Sequence, residues 1–292
     1  MAHFGIVLPN YGDGLSLGNL SASTIAAEES GFDSVWATDH VMVTDVHAPG
    51  YGVITEALVT LGYLAAITTR VTLGVSALVV PQRNPYVVLK QLTSLDYLSG
   101  GRIVTSVAAG WMADEFAALG ADFAGRGRML NEWLDMAVEV FAQMPGRVRH
   151  EGPTRIEGAW LAPGLVRQGG PGLWVAGVSD ATVRRAAKTG VWHPTGLTPV
   201  QLAPMARAFR ARCEDGVIVN RIAARVTEDA EGRDTDERGR SAVIGPPDYV
   251  VEQLRSYVDA GCDGFVINFG KDEPGLPERI RRFAETVIPS FA

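Results

Sequence analysis

Few residues in this chain could do chemistry, and most of them stand directly after short apolar runs. Ser34–Ala37 leads into Thr38-Asp39-His40, a carboxylate beside an imidazole. Such a pair can orient a bound ring and pass a proton near neutral pH, although Asp-His also occurs as an ordinary exposed turn. Gly74 and Ser76 interrupt the run Leu73–Val80. Glycine inside a strand marks a bulge or the close approach of something flat, or simply a layer that needs small residues. A third run ends in Ala108-Ala109-Gly110-Trp111, followed by Asp114 and Glu115. Small residues there let backbone N–H groups approach a phosphate or a ring edge, while Trp111 reads equally well as a packing residue. A fourth ends in Ala176-Gly177-Val178-Ser179-Asp180 and opens a helix. That is a plausible phosphate cradle in which Ser179 also serves as N-cap. The other histidines, His3, His47, His150 and His193, form no HxxxH or HExxH, and Cys213 and Cys262 have no paired spacing. No metal ligand set, disulfide framework or GxSxG elbow is indicated.

These groups gain meaning from the elements that carry them. Apolar runs at Phe4–Leu8, Ser34–Ala37, Val71–Val80, Ile103–Ala108, Leu173–Ala176, Val191–Thr195, Val217–Val226 and Gly264–Asn268 suit strands buried on both faces. Helical stretches lie between them. One is capped by Asn84 with Pro85 at its first position and stops at Gly100-Gly101; another carries Leu130, Leu134, Ala137 and Phe141; others open at Pro246-Pro247 and at Pro277. Eight strands alternating with eight helices predict an α/β fold, a (β/α)8 TIM barrel with insertions in its loops, as one domain over residues 1–292. A doubly wound sheet fits the same pattern, but no strand is followed by GxGxxG, so its dinucleotide fingerprint is missing. In such a barrel chemistry sits at the C-terminal ends of the strands, where the groups named above fall. Two segments break the rhythm. Pro145–Pro171 has room for a small hairpin of Val148–Glu151 with Thr154–Glu157, and Glu228–Arg240 is a dense charge run expected to be a solvated loop.

The chain has 292 residues, 47% of them hydrophobic, enough for a sizeable core. A formal charge of -7 leaves no basic footprint for nucleic acid or an anionic membrane. The longest nearly uncharged stretch, Val71–Pro81, is about half of the ~20 residues that span a bilayer, and His3–Pro9 reads as a first strand rather than a signal peptide. The expectation is a soluble cytoplasmic protein that acts on a small molecule.

In order along the chain, GFDSVWATDH (31–40), EALVTLGYLAAITTRVTLGVSALVVPQRNPYVVLKQLTSLDYLSGGR (56–102), AAGWMADEFAALGADFAGRGRMLNE (108–132), LWVAGVSDATVRRAAKTGVWHP (173–194) and IGPPDYVVEQLRSYVDAGCDGFVI (244–267) resemble the luciferase-like monooxygenase superfamily. Within it they are most similar to the smaller oxidoreductases that use the deazaflavin coenzyme F420. The resemblance implies the same barrel, with Asp39 hydrogen-bonding the deazaflavin ring and His40 facing the reactive carbon. It places a non-prolyl cis peptide in the Gly74–Ala77 bulge, with Ser76–Ala77 the candidate bond behind the ring. Gly110 and Trp111 would make one backbone contact to the coenzyme phosphate, and Ala176, Gly177 and Ser179 a second. Relatives commonly have two glycines where this chain has Ala176-Gly177, a difference that narrows the phosphate approach. Arg83, within PQRNP, is the candidate cation for the acidic tail, against its reading as an exposed loop arginine. The implied activity is hydride transfer between F420 and a small organic substrate. Two alternatives stand beside it: an FMN-dependent monooxygenase using reduced flavin and O2, and a non-catalytic flavin-binding relative. The expected partners are a substrate, a separate reductase supplying the reduced coenzyme, and a second copy in a homodimer.

Overall fold

The computed structural model describes residues 2–229, 231–236, 240–270 and 275–291. In chain order its strands are β1 (His3–Val7), β2 (Ser34–Ala37), β3 (Thr72–Val79), β4 (Ile103–Ala108), β5 (Gly146–His150), β6 (Ile156–Leu161), β7 (Gly172–Ala176), β8 (Val191–His193), β9 (Val217–Val226), β10 (Arg233–Thr235), β11 (Ser241–Gly245) and β12 (Gly264–Asn268). Eight of them, all but β5, β6, β10 and β11, follow the order β9-β12-β1-β2-β3-β4-β7-β8, and a β8–β9 pairing closes the ring. This is a (β/α)8 barrel, and its strands are the eight apolar runs, shifted by at most two residues at an end. The chain packs as two compact units, residues 1–36 with 174–292, and residues 37–173.

In the first unit β1 lies between β2 (Gly5 opposite Ser34, Val7 opposite Trp36) and β12 (His3 opposite Gly264). β9 is ten residues long and serves three neighbours. Val217 and Ile218 pair with β8, Val219–Ala223 with β12, and Ala223–Val226 with β11. The charged segment after β9 therefore differs from the solvated loop expected of it. Its Arg233–Thr235 is a strand, antiparallel to β11 and exposed throughout; residues 230 and 237–239 of that segment lie outside the described residues. Inside this unit His193 stacks on Trp36 at 5.3 Å and its Nδ1 lies 2.6 Å from the Val219 carbonyl. Burial pushes its pKa down to about 3, so it is a neutral core histidine that donates to that carbonyl.

In the second unit β3 and β4 pair in parallel from Leu73–Ile103 to Val79–Ala108, with a register shift between Ser76 and Leu78. The extra residue is Ala77, and the Ser76–Ala77 peptide is cis. Helix Pro85–Leu98 starts where its cap required, with the Asn84 side chain accepting from the N–H groups of Tyr86 and Val87. The inserted hairpin is β5 with β6, longer than the segments expected for it. It is tied to helix Arg126–Gln143 by His150 Nδ1 and Glu139 Oε2, 2.6 Å apart. Among the described residues no helix is long and apolar enough to cross a membrane.

Candidate active site

In the second unit two acid–base pairs grow from the segment that follows β2. The first joins Asp39 to Arg83. The Asp39 carboxylate is buried and accepts from the Val79 N–H at 3.0 Å, from Arg83 Nη1 at 2.9 Å and from Arg83 Nη2 at 2.7 Å. Arg83 also donates to the Val79 carbonyl (3.2 Å) and to Glu56 Oε1 (3.2 Å). Glu56 is itself fixed, because its other oxygen caps helix Ala57–Ile67 through the Val59 N–H. Burial pushes the Asp39 carboxyl above its usual value, against the pull of Arg83 and the Val79 N–H. Burial also disfavours the Arg83 charge, but Asp39 and Glu56 outweigh it and hold the guanidinium above its ordinary value. The expectation for Arg83 is corrected here. It is not an exposed loop arginine, since four of its five N–H groups are engaged by Asp39, Val79 and Glu56. Asp39 keeps acceptor room on Oδ1 only.

The second pair was not anticipated. His40 Nδ1 lies 2.9 Å from Glu115 Oε2, and Glu115 Oε1 accepts from the backbone N–H groups of Val41 (2.7 Å) and Met42 (3.2 Å). Glu115 is 1% exposed. Burial alone would raise its pKa, but hydrogen bonds from His40, Val41 and Gln82 overcome this and bring it down to about 2. An ionised carboxylate on Nδ1 fixes the proton there and leaves Nε2, which has no partner among the described residues. Glu115 stands in the first turn of the short helix Ala113–Ala118, where an acid is favoured. Its distance from His40 in the sequence, 75 residues, left no local signal.

Aromatic rings surround His40. Tyr51 lies at 4.5 Å and Trp111 at 6.1 Å, while Trp111 also meets His47 (5.2 Å) and Tyr51 (6.5 Å) edge to face. Trp111 is 58% exposed, so it packs against these rings at the surface rather than in the core. Beside it, Asp114 accepts from the Thr44 hydroxyl and lies 3.6 Å from His47 Nε2.

Gly110 holds this corner in place. Its φ is +89°, and a Cβ there would lie 2.7 Å from both Phe116 and Val79, so only glycine fits. The Gly110 carbonyl accepts from Arg126 Nε at 3.1 Å, and that guanidinium lies 3.7 Å over the Phe123 ring. On β3 every residue from Leu73 to Val79 is buried except Ala77 at the bulge, which is half-buried. Ser106, opposite Ser76, has a buried hydroxyl with no partner.

Ala176, Gly177 and Ser179 belong to the first unit. Ser179 is the N-cap of helix Asp180–Thr189, accepting from the Thr182 N–H at 3.2 Å. Gly177 has φ +129° and a Cβ there would meet the Thr182 hydroxyl at 2.8 Å; its carbonyl accepts from Trp192 Nε1 at 2.9 Å. Ala176 pairs with His193 in the sheet. Packing and capping thus account for the small residues here.

A buried carboxylate that orients an imidazole just after a strand is an arrangement able to hold and pass a proton. The luciferase-like monooxygenase family matches residues 3–217, and the chain belongs to it. It is 25% identical over 165–167 residues to alkanal monooxygenase alpha chains, among them that of the Kryptophanaron alfredi symbiont, where the match covers 57% of this chain and 44% of that protein. The chain thus spans less than half the length of those relatives. A 38% identity over 110 residues links it to the F420-dependent glucose-6-phosphate dehydrogenase of Kineococcus radiotolerans, covering 36% of this chain and 31% of that one. Among solved structures, the coenzyme F420-dependent tetrahydromethanopterin reductase from Methanopyrus kandleri shares the fold with a TM-score of 0.81 at 16% identity, covering 100% of this chain and 99% of the other.

Proposed function

We propose that this luciferase-like protein is an oxidoreductase that transfers a hydride between the deazaflavin coenzyme F420 and a small organic substrate, with His40 as the proton-handling residue. The observation that carries the reading is the buried Glu115–His40 pair with a free Nε2. Two features fit a flat coenzyme: the half-buried bulge at Ala77 and the unpartnered Ser106 hydroxyl opposite Ser76. When bound, the coenzyme supplies or accepts the hydride. Glu115 keeps His40 in one tautomer. Protonated at Nε2, His40 would donate that proton to the carbonyl oxygen on which hydride arrival leaves negative charge, and in the reverse direction Nε2 would take the proton from the alcohol. Asp39, anchored by Arg83 and Val79, keeps one acceptor position for a ring N–H. Gly110 and Trp111 would supply backbone N–H groups for a phosphate.

Titration of the protein with F420 and with FMN, followed by fluorescence, tests the coenzyme. Tighter binding of F420 is expected. Equal or tighter binding of FMN would favour an FMN-dependent monooxygenase, the activity class named for the alkanal monooxygenase relatives. The protein would act in the cytoplasm, supplied with reduced coenzyme by a separate reductase, as a homodimer.

A further inference from the structure

We infer that the substrate facing His40 is a planar, apolar compound without negative charge, seated against Trp111 between His47 and Tyr51, and that Asp114 turns anionic substrates away. The inference rests on the hydride-transfer reading above and adds the substrate class. Its first support is the ring cluster. Trp111 touches His40, His47 and Tyr51 edge to face, so its orientation is held while 58% of it stays exposed. Aromatic faces held in this way favour flat ligands through offset or edge contacts, and the low conformational cost of a fixed ring adds to the binding.

The second support is charge. Asp114 is kept ionised first by the Thr44 hydroxyl and also by nearby His47, and Glu115 lies behind His40. The two arginines hydrogen-bonded within this corner are turned elsewhere, Arg83 to Asp39 and Glu56 and Arg126 to the carbonyls of Gly110 and Phe123. A phosphate or carboxylate beside Trp111 would meet the Asp114 carboxylate with no guanidinium answering it. Flanking loop residues Val41, Met42 and Val46 are exposed and apolar, which extends the same preference outward. On this ground a sugar phosphate, the substrate class named for the Kineococcus relative, is not expected to be taken.

Probes that share a skeleton and differ in charge test the inference. Cinnamaldehyde, cinnamate and glucose 6-phosphate are each titrated calorimetrically into the full chain, with and without F420. Cinnamaldehyde is expected to bind at least tenfold tighter than cinnamate, and glucose 6-phosphate not at all. Trp111→Ala and Trp111→Leu should each weaken cinnamaldehyde about tenfold, and Asp114→Asn should narrow the gap between aldehyde and acid. Because Trp111 is mostly exposed, both of its variants should fold, as circular dichroism will show. The inference is overturned if cinnamate or glucose 6-phosphate binds as well as the aldehyde, or if neither Trp111 variant weakens the aldehyde. Coenzyme affinity on the same samples separates the two proposals. A protein that binds F420 but shows no aldehyde preference loses only the substrate class, and one that prefers the aldehyde but ignores F420 loses only the coenzyme reading.

Discussion

One carboxylate governs what His40 can do. With Glu115 ionised and pinned by two backbone N–H groups, the imidazole presents a single nitrogen. Removing the imidazole, in His40→Ala, should cost roughly 10²–10⁴ in rate while coenzyme affinity stays near wild type, which single-turnover kinetics beside a binding titration would check. Glu115→Gln should cost less in rate, because an amide still reaches Nδ1, but it should shift the pH profile, since the amide carries no charge. The same carboxylate contributes to stability with a defined sign. Its pKa falls from 4.5 to about 2 on folding, so its contribution is complete above about pH 4.5 and is lost as pH falls toward 2. A shift of that size corresponds to about 3 kcal/mol. Denaturant melts between pH 2 and 6 should show an acid limb that flattens in Glu115→Gln. At this scale the sequence was partly readable. Asp39, His40 and Trp111 were visible as polar or aromatic residues at strand ends, whereas Glu115 needed a partner 75 residues away and the ion pairs of Arg83 with Asp39 and Glu56 arise only in the fold.

The elements were easier to read, because each signal lies within a few residues of what it specifies. Asn84-Pro85 started its helix and the Gly100-Gly101 pair ended it, since capping and left-handed glycines act locally. The bulge at Ala77 was legible through Gly74 and Ser76, two residues that a buried strand would not otherwise choose. What local signals could not give was the length of the hairpin β5–β6, whose pairing runs out to Gly146 opposite Leu161. Gly110 offers the sharpest test at this scale. Gly110→Ala introduces a Cβ at positive φ that collides with Phe116 and Val79, and a cost of about 1–3 kcal/mol is expected. The corner should shift with it, so Trp111 fluorescence ought to change before global unfolding. An unchanged melting curve and an unchanged emission would show that the corner relaxes freely.

For the molecule as a whole, the eightfold alternation was the strongest signal, because strands buried on both faces leave continuous apolar runs wherever they fall. Pairing partners were not legible, since register depends on contacts far apart in sequence. The Asp39–Arg83 pair joins residues 44 positions apart and bears on global stability. Arg83→Ala leaves a buried carboxylate without its cation, which typically costs 3–5 kcal/mol. Adding Asp39→Asn to that variant should recover much of the loss, a coupling that a double-mutant cycle in denaturant measures. Selective loss of F420 affinity in Arg83→Ala with full stability would instead return Arg83 to the coenzyme tail. The long strand β9 has a further consequence. It is fastened to β8, β12 and β11, so the chain entering the charged segment and the chain leaving it are laced to each other over Ala223–Val226 and Ala242–Gly245. A cut between Val226 and Ser241 would leave both new ends secured by the ladder. Proteolysis there should give two fragments that travel together on gel filtration and part only in denaturant, which makes this segment the natural place to open the chain for a circular permutant.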